Sequence, residues 1–169
     1  MDTFFEQIIS IKKSGKAIAC LIGLWVLAAL LCFGLTLFIS YIGSFIILLI
    51  AGIIYGGIKL SGLINLEYEY IVTNGTMDVD RITNKSSRKR ILTFELSGVT
   101  RLEKYHESIL NNINKKDVVF ACNPTDESYL IVAEKEGSKP SYLVFAPNDK
   151  MKSAIVKFVP KFISNSAFK

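Results

Sequence analysis

The first third of the chain carries one long run of apolar residues. Residues 17–58 form a stretch of 42 positions with no charged side chain and no proline. The hydrocarbon core of a bilayer is about 30 Å thick, and about 20 helical residues cross it once. The run therefore predicts a transmembrane hairpin over residues 17–64, with helices at residues 17–39 and 45–63. We expect its turn at residues 40–44, where Ser, Tyr and Gly interrupt the apolar pattern.

Positive charges lie at the two flanks of this hairpin and are absent from its turn. Lys12, Lys13 and Lys16 precede the first helix, and Lys59 lies near the end of the second. Because cytoplasmic flanks carry an excess of Lys and Arg, we expect a multi-pass protein of the cell membrane with both termini in the cytoplasm. The four lysines are candidates for contact with anionic lipid headgroups.

The residues ahead of the hairpin show a helical spacing of apolar side chains. Phe and Ile occupy positions 4, 5, 8 and 9, and Thr3 and Glu6 have the spacing of a capping box. This pattern predicts an interfacial amphipathic helix over residues 1–16, with its apolar face in the inner leaflet. A plain cytoplasmic extension of the first transmembrane helix is the alternative.

Two glycines in the second helix form a small-xxx-small pair, Gly52 and Gly56. Such a pair lets two helix backbones approach closely. A second copy of the chain is one candidate for the partner helix, but packing against the first helix of the same hairpin explains the same residues and is favoured. No ionisable residue lies deep in either predicted span, so a transport path through a single chain is not indicated.

After residue 65 the hydrophobic period changes from that of a helix to two, which is typical of strands. Tyr68, Tyr70 and Val72 alternate with more polar positions, and Asn74-Gly75 predicts a tight hairpin turn. The pattern predicts seven strands, at residues 66–73, 76–82, 90–96, 99–105, 118–122, 128–134 and 141–145. Asn148 is then expected to cap one amphipathic C-terminal helix, which Pro160 shortens or kinks.

Seven short antiparallel strands and one C-terminal helix, with a tyrosine-rich strand leading into Val72-Thr73-Asn74-Gly75, resemble a bacterial pleckstrin-homology-like domain. With Met-Asp-Thr-Phe-Phe-Glu at residues 1–6 and the segment at residues 66–80, the chain is similar to a family of small uncharacterised membrane proteins of Gram-positive bacteria. The resemblance implies a membrane α-helical hairpin plus an α+β soluble domain of unknown function at residues 65–169. The implied fold of that domain is a seven-strand antiparallel sandwich or open barrel capped by one helix. No catalytic residues come with the resemblance.

Four carboxylates fall on one face of the first predicted β-hairpin. With a two-residue turn at Asn74-Gly75, cross-strand pairing places on that acidic face Glu67, Glu69, Asp78 and Asp80. Directly opposed like charges are destabilising, by up to about 1 kcal/mol. Either a bound cation or basic partner offsets this repulsion, or Lys89 or Arg90 on the next strand does.

The densest basic cluster lies at residues 85–90, which we call the basic segment. It contains Lys85, Arg88, Lys89 and Arg90. The first strand leaves the membrane and the second returns, so the basic segment is expected to form a loop that faces the bilayer. Each cation near an anionic leaflet contributes about 1 kcal/mol before screening by salt. A solvated loop without lipid contact is the alternative.

The remaining chemistry of the sequence is sparse. His106 is the single histidine, and Cys122 is the one cysteine outside the apolar run. We expect the first on a surface loop and the second in the core. No motif predicts catalytic residues, a cofactor or a metal, a small-molecule substrate is not indicated, and the mild net charge of +5 does not favour nucleic acid.

These observations lead to one function hypothesis and one alternative. The first is a membrane-tethered, cytoplasm-facing binding or scaffold module, not an enzyme, whose partners are the bilayer and a protein or a second copy of the chain. The alternative is an oligomeric membrane structural or pore-forming element, assembled through Gly52 and Gly56.

Overall fold

A computed structural model describes residues 3–125, 127–134, 137, 139–165 and 168, without the side chains of residues 111 and 112. The chain divides into two compact units. The β-sandwich unit comprises Met1–Ile11, Glu67–Ile82 and Ser86–Lys169. The helical unit comprises Lys12–Leu66 and Thr83–Lys85.

The helical unit contains two long apolar helices joined by a short one. Helix α1 spans Gly15–Leu37, α2 spans Ile39–Ile42 and α3 spans Phe45–Gly62. The Ser14 side chain caps α1 by accepting a hydrogen bond from the Ala17 amide at 3.2 Å. The expected turn lies at Gly43, whose positive φ of 57° suits a residue without a Cβ. Both α1 and α3 are long and apolar enough to cross a membrane, as the sequence predicts.

Glycines in α3 have different environments. A Cβ added at Gly57 would lie 3.6 Å from the Trp25 ring of α1, so this glycine packs inside the hairpin. A Cβ at Gly52 or Gly56 would meet no described atom within 4 Å. The positions where Gly52 and Gly56 would carry a side chain are therefore open in the described chain.

The first sheet of the β-sandwich unit has four strands in the order β1-β2-β3-β4. Their bounds are Phe4–Ser10 for β1, Leu66–Thr73 for β2, Thr76–Thr83 for β3 and Ser87–Glu95 for β4. Asn74 and Gly75 both have positive φ, as a two-residue hairpin turn requires. The predicted turn at Asn74-Gly75 is therefore present, between β2 and β3.

The prediction of an N-terminal amphipathic helix is wrong. Residues 4–10 form β1, which pairs antiparallel with β2, so that Phe4 lies opposite Thr73 and Ser10 opposite Glu67. Residues 1 and 2 of the predicted helix lie outside the described residues. Phe5 and Ile9 turn toward the core, while Phe4 and Ile8 lie on the outer face of the sheet. The apolar residues at positions 4 and 8, and at 5 and 9, fit the spacing of a helix as well as that of a strand. The segment forms a strand because β2 is available as a partner.

The second sheet has the order β5-β7-β8-β6. Its strands are Val99–Lys104 for β5, Val118–Phe120 for β6, Tyr129–Ala133 for β7 and Ser141–Phe145 for β8. Strand β6 pairs parallel with β8, whereas β5–β7 and β7–β8 are antiparallel. Each of the seven predicted strands coincides with an observed one. The count of seven and the all-antiparallel topology are wrong, because β1 adds an eighth strand and β6 runs parallel to its neighbour.

In the described connections between these strands lie three short 3₁₀ helices, at Leu96–Gly98, Glu107–Asn112 and Lys115–Asp117. The segment around Glu107–Asn112 covers the second face of the second sheet, because Leu110 packs with Val118, Leu130 and Val144. Strand β7 is therefore buried along its whole length.

Two helices end the described chain, α4 at Asp149–Val156 and α5 at Lys161–Ser164. Asn148 caps α4 as predicted, since its Oδ1 accepts a hydrogen bond from the Met151 amide at 2.8 Å. The predicted single helix is divided because Pro160 lies between the two. The main core lies between the two sheets and α4, and its fully buried members include Tyr70, Met77, Leu143, Phe145 and Ile155.

Candidate functional site

The acidic face of the first sheet meets basic residues of β4. Arg88 Nη2 lies 3.1 Å from Glu69 Oε1. Arg90 contacts two carboxylates of β3, with Nη1 3.0 Å from Asp78 Oδ2 and Nε 2.9 Å from Asp80 Oδ1. Charge relief for the acidic face thus comes from Arg88 and Arg90. Lys89 makes no ion pair within the described part of the chain.

Hydroxyl groups also donate hydrogen bonds to two carboxylates of this face, Asp78 and Glu67. Thr93 Oγ1 donates to Asp78 Oδ1 at 2.7 Å, and Ser10 Oγ donates to Glu67 Oε1 at 3.1 Å. Glu67 therefore lies apart from the two guanidinium groups, against β1. These side-chain hydrogen bonds connect β1 with β2, β2 with β4, and β3 with β4.

The basic segment differs from its prediction, because most of it is not a loop. Residues 87–90 begin β4, and the turn that precedes them contains Asn84 and Lys85, both with positive φ. Arg88 and Arg90 are half-exposed and paired with carboxylates, whereas Lys85 and Lys89 are exposed. An anionic ligand would therefore compete with the acidic face for the two arginines and would find the two lysines free of ion pairs in the described chain.

Glu69 is the most unusual member of the acidic face. It is fully buried, although its strand neighbour Glu67 is half-buried. Burial raises the pKa of Glu69, the neighbouring Glu6 and Asp80 carboxyls raise it further, and the Arg88 guanidinium acts in the opposite direction. The net effect is a raised pKa, so this carboxyl holds a proton more readily than an exposed glutamate.

Five lysines belong to the helical unit, where they flank the two long helices. Lys12, Lys13 and Lys16 lie exposed at the start of α1, and Lys59 lies exposed near the end of α3, over the Tyr55 ring at 5.5 Å. Because α1 and α3 form a hairpin, these two ends coincide. Lys85 follows Asn84, whose amide donates to the Asn65 carbonyl at 2.8 Å just beyond α3. The five lysines therefore share one end of the helical unit.

Comparison with protein families gives a match over nearly the whole chain. The family described as Bacterial PH-like domain (DUF6106) matches residues 1–165. The chain belongs to this family. The match includes β1 and the hairpin as well as the sandwich, and it confirms the resemblance inferred from the sequence. No curated protein and no solved structure gave a match.

The two residues singled out for their chemistry lie apart from the acidic face of this PH-like domain. Cys122 is buried near Ser128 in a second, smaller core, which it forms with Leu110, Leu130 and Val144. Burial raises the pKa of its thiol. His106 is exposed beside the segment Glu107–Asn112. Among the described residues, no group of three or more His, Cys, Asp or Glu side chains is arranged to hold a metal ion.

Sequence reasoning missed Glu6 as a member of the acidic face. The register places Glu6 opposite Ile71 and Ile8 opposite Glu69, so Glu6 and Glu69 share the outer face as diagonal neighbours. Nothing in residues 4–10 signals this placement, because their apolar spacing also fits a helix. In the PH-like domain the contact depends on pairing between strands separated by the hairpin.

Proposed function

We propose that this PH-like protein is a membrane-tethered, cytoplasm-facing binding module, held by a hairpin of two transmembrane helices. The observation that carries the proposal is the pairing of β1 with β2. Strand β1 ends at Ser10, before α1, and β2 begins at Leu66, after α3. Two strands of one sheet lie on the same side of a bilayer, so the segment between them crosses an even number of times.

The surface of the helical unit supports the same proposal. Large apolar side chains are exposed along both long helices; Leu30, Phe33, Ile47 and Leu48 are each more than 60% exposed. A helix from the core of a soluble protein would bury such side chains. The length of α1, at about 1.5 Å per residue, matches the hydrocarbon core of a bilayer of about 30 Å. A removable signal sequence fits less well, because its loss would take β1 from the sheet.

The proposed orientation can be tested with single cysteines in a chain in which Cys20, Cys32 and Cys122 are replaced by serine or alanine. Tyr41, near the turn of the hairpin, is 88% exposed, and Lys89 is exposed on β4. In intact cells an impermeant thiol reagent should label Tyr41→Cys and leave Lys89→Cys unlabelled until the membrane is permeabilised. Labelling of Lys89→Cys in intact cells would refute the cytoplasmic orientation.

The ligand that we propose for the basic residues is the anionic headgroup surface of the inner leaflet. Five lysines gather at one end of the helical unit, and Lys89 adds an unpaired cation on β4 in the described chain. Each would contribute about 1 kcal/mol near an anionic surface before screening. Arg88 and Arg90 contribute less, because carboxylates already neutralise them.

Lipid contact can be tested with the full chain in nanodiscs. Anionic lipid should protect amides of residues 83–90 from hydrogen exchange more than zwitterionic lipid does, and added salt should remove the difference. The double variant Lys85→Gln, Lys89→Gln should lose the difference. The matched control Lys115→Gln, Lys116→Gln lies in the 3₁₀ helix before β6 and should retain it. Equal protection in both lipids would end the lipid hypothesis.

A second candidate function is an assembled membrane element, structural or pore-forming. The observation that favours it is the open space at Gly52 and Gly56, which α1 does not use. Small residues that are not packed inside the hairpin are available to a helix of a second copy.

Assembly can be tested by crosslinking and by light scattering in detergent. The variant Gly52→Leu, Gly56→Leu should convert a dimer or larger assembly to monomer. The control Gly23→Leu alters a glycine of α1 that also has open space around it. Monomers in both the wild type and the variant would exclude the assembled element.

A further inference from the structure

Two carboxyl groups on neighbouring strands meet on the outer face of the first sheet. Glu6 lies on β1 and Glu69 on β2, and the register makes them diagonal neighbours. Diagonal side chains of this kind are within reach of one another when both are long. The Glu6 carboxyl is accordingly one of the groups that raise the pKa of Glu69.

Only one oxygen of Glu69 has a partner in the described structure. Oε1 accepts from Arg88 Nη2 at 3.1 Å, while Oε2 is buried and has no hydrogen-bond partner among the described residues. An unpaired buried acceptor costs free energy, because it has lost its hydrogen bonds to water and gained none in return. A carboxylate at position 6 cannot remove that cost, because two ionised carboxylates are both acceptors.

The charged groups around Glu69 leave this pair short of positive charge. Arg88 faces it from β4, Asp80 faces it from β3, and Glu67 lies two residues away on β2, bonded to Ser10. Arg90 is engaged by Asp78 and Asp80. One guanidinium therefore neutralises one carboxylate of the Glu6–Glu69 pair, and the second charge has no described partner of opposite sign.

We propose that Glu6 and Glu69 share one proton in the folded protein, and that this shared proton is a pH-sensitive latch that holds β1 on β2. With the proton in place, one carboxyl donates to the other and Oε2 of Glu69 is satisfied. Without it, two negative charges oppose each other across the two strands. The N-terminal strand is then bound less tightly to the sheet.

The direction of the pH effect follows from proton linkage. The pKa of Glu69 is raised above its ordinary value of 4.5, first by burial and then by Glu6. The paired state therefore binds more protons than the separated state once the pH exceeds that ordinary value. The latch therefore contributes its full stabilisation below the ordinary pKa of 4.5, and this stabilisation is lost as the pH rises through the raised pKa of Glu69. Because the two carboxyl groups interact, the pH at which this stabilisation is lost is a property of the pair and not of either residue alone.

Hydrogen exchange on the full chain in nanodiscs tests the latch. Protection factors of the β1 amides, corrected for intrinsic exchange, should fall as the pH rises through the raised pKa of Glu69, by about tenfold for each unit by which that pKa is raised. Glu6→Gln should weaken this dependence, because an amide at position 6 can donate to Glu69 Oε2 without a shared proton, while the effect of burial on Glu69 remains. The matched control Glu67→Gln alters the neighbouring carboxylate and should retain the wild-type dependence.

Two results would overturn the proposal. One is an equal pH dependence of β1 protection in the wild type and in Glu6→Gln. The other comes from carboxyl-carbon NMR titration of the wild type, which needs no folded variant: ordinary titration of both Glu6 and Glu69 would exclude a shared proton.

Discussion

The phenol of Tyr70 donates a hydrogen bond to the carbonyl oxygen of Ala121 at 2.8 Å. Tyr70 lies on β2 in the first sheet, and Ala121 directly follows β6 in the second. The Tyr70 ring also meets the Phe145 ring of β8 edge-on, with 5.7 Å between centroids. This buried residue therefore links the two sheets by a polar and an aromatic contact, and burial raises the pKa of its phenol.

Replacing Tyr70 by phenylalanine should destabilise the β-sandwich unit. The ring contact is kept, but the Ala121 carbonyl loses its buried donor, so the free energy of unfolding should fall by about 1–3 kcal/mol. Urea unfolding in detergent micelles, followed by circular dichroism, measures the change. The control Tyr142→Phe alters a half-buried tyrosine of β8 without a described side-chain hydrogen bond and should have little effect. Equal effects of the two would contradict this role of Tyr70.

Replacing Arg90 by glutamine should destabilise the first sheet. Asp80 is 4% exposed and would lose the guanidinium that neutralises it, while Asp78 would keep its bond from Thr93. Because Arg90 itself is half-exposed, we expect a smaller loss in the free energy of unfolding than for a fully buried pair. The same unfolding measurement applies. Lys89→Gln, one residue away and without a described ion pair, should be close to neutral.

If the repulsion between carboxylates is what Arg90 relieves, a second substitution should restore stability. Asp80→Asn in the Arg90→Gln background removes the charge that is left uncompensated. If the loss of stability in the double variant equalled the sum of the losses in the two single variants, Arg90 and Asp80 would not interact in the folded protein.

Replacing Gly98 by alanine should disturb the connection between β4 and β5. An added Cβ would lie 2.6 Å from the Glu134 carbonyl oxygen. Because this oxygen belongs to the backbone, it can move away only if the backbone itself shifts. We expect a loss of about 1–3 kcal/mol in the free energy of unfolding. Ser97→Ala, an exposed neighbour in the same 3₁₀ helix, is the control. If Gly98→Ala were as stable as Ser97→Ala, the backbone at Gly98 and Glu134 would be able to move apart without loss of stability.

The Cys122 thiol should react slowly in the folded chain. It is 5% exposed, and burial raises its pKa, so little thiolate is present or accessible near neutral pH. In a variant without Cys20 and Cys32, its rate with a water-soluble disulfide reagent should be at least about tenfold below that of Lys89→Cys. Urea should equalise the two rates. Similar rates without urea would mean that the smaller core opens readily.

Much of the architecture followed from local pattern. Period-two alternation in residues 66–73, the Asn74-Gly75 turn and the Asn148 cap are each decided by residues within a few positions of one another. The same is true of α1 and α3, whose apolar length is a property of the segment itself. Such features depend on backbone preference and on side-chain composition, which the sequence states directly.

The acidic face was predictable in part for the same reason. Its four carboxylates alternate on two strands joined by a tight turn, so their common face is set by register. The register of these two strands does not determine which cations neutralise the four carboxylates. Arg88 and Arg90 reach the carboxylates because β4 begins earlier than its apolar residues indicate, at Ser87.

The N-terminal strand shows where local reasoning stops. Residues 4–10 have no pattern that separates helix from strand, and their partner β2 lies beyond the whole hairpin. The sequence by itself determined the two long apolar helices, seven of the strands and the cap of α4, because each depends on neighbouring residues. Tertiary structure alone decided that β1 completes the sheet and brings Glu6 to Glu69, because hydrogen bonds between distant strands are absent from any local window.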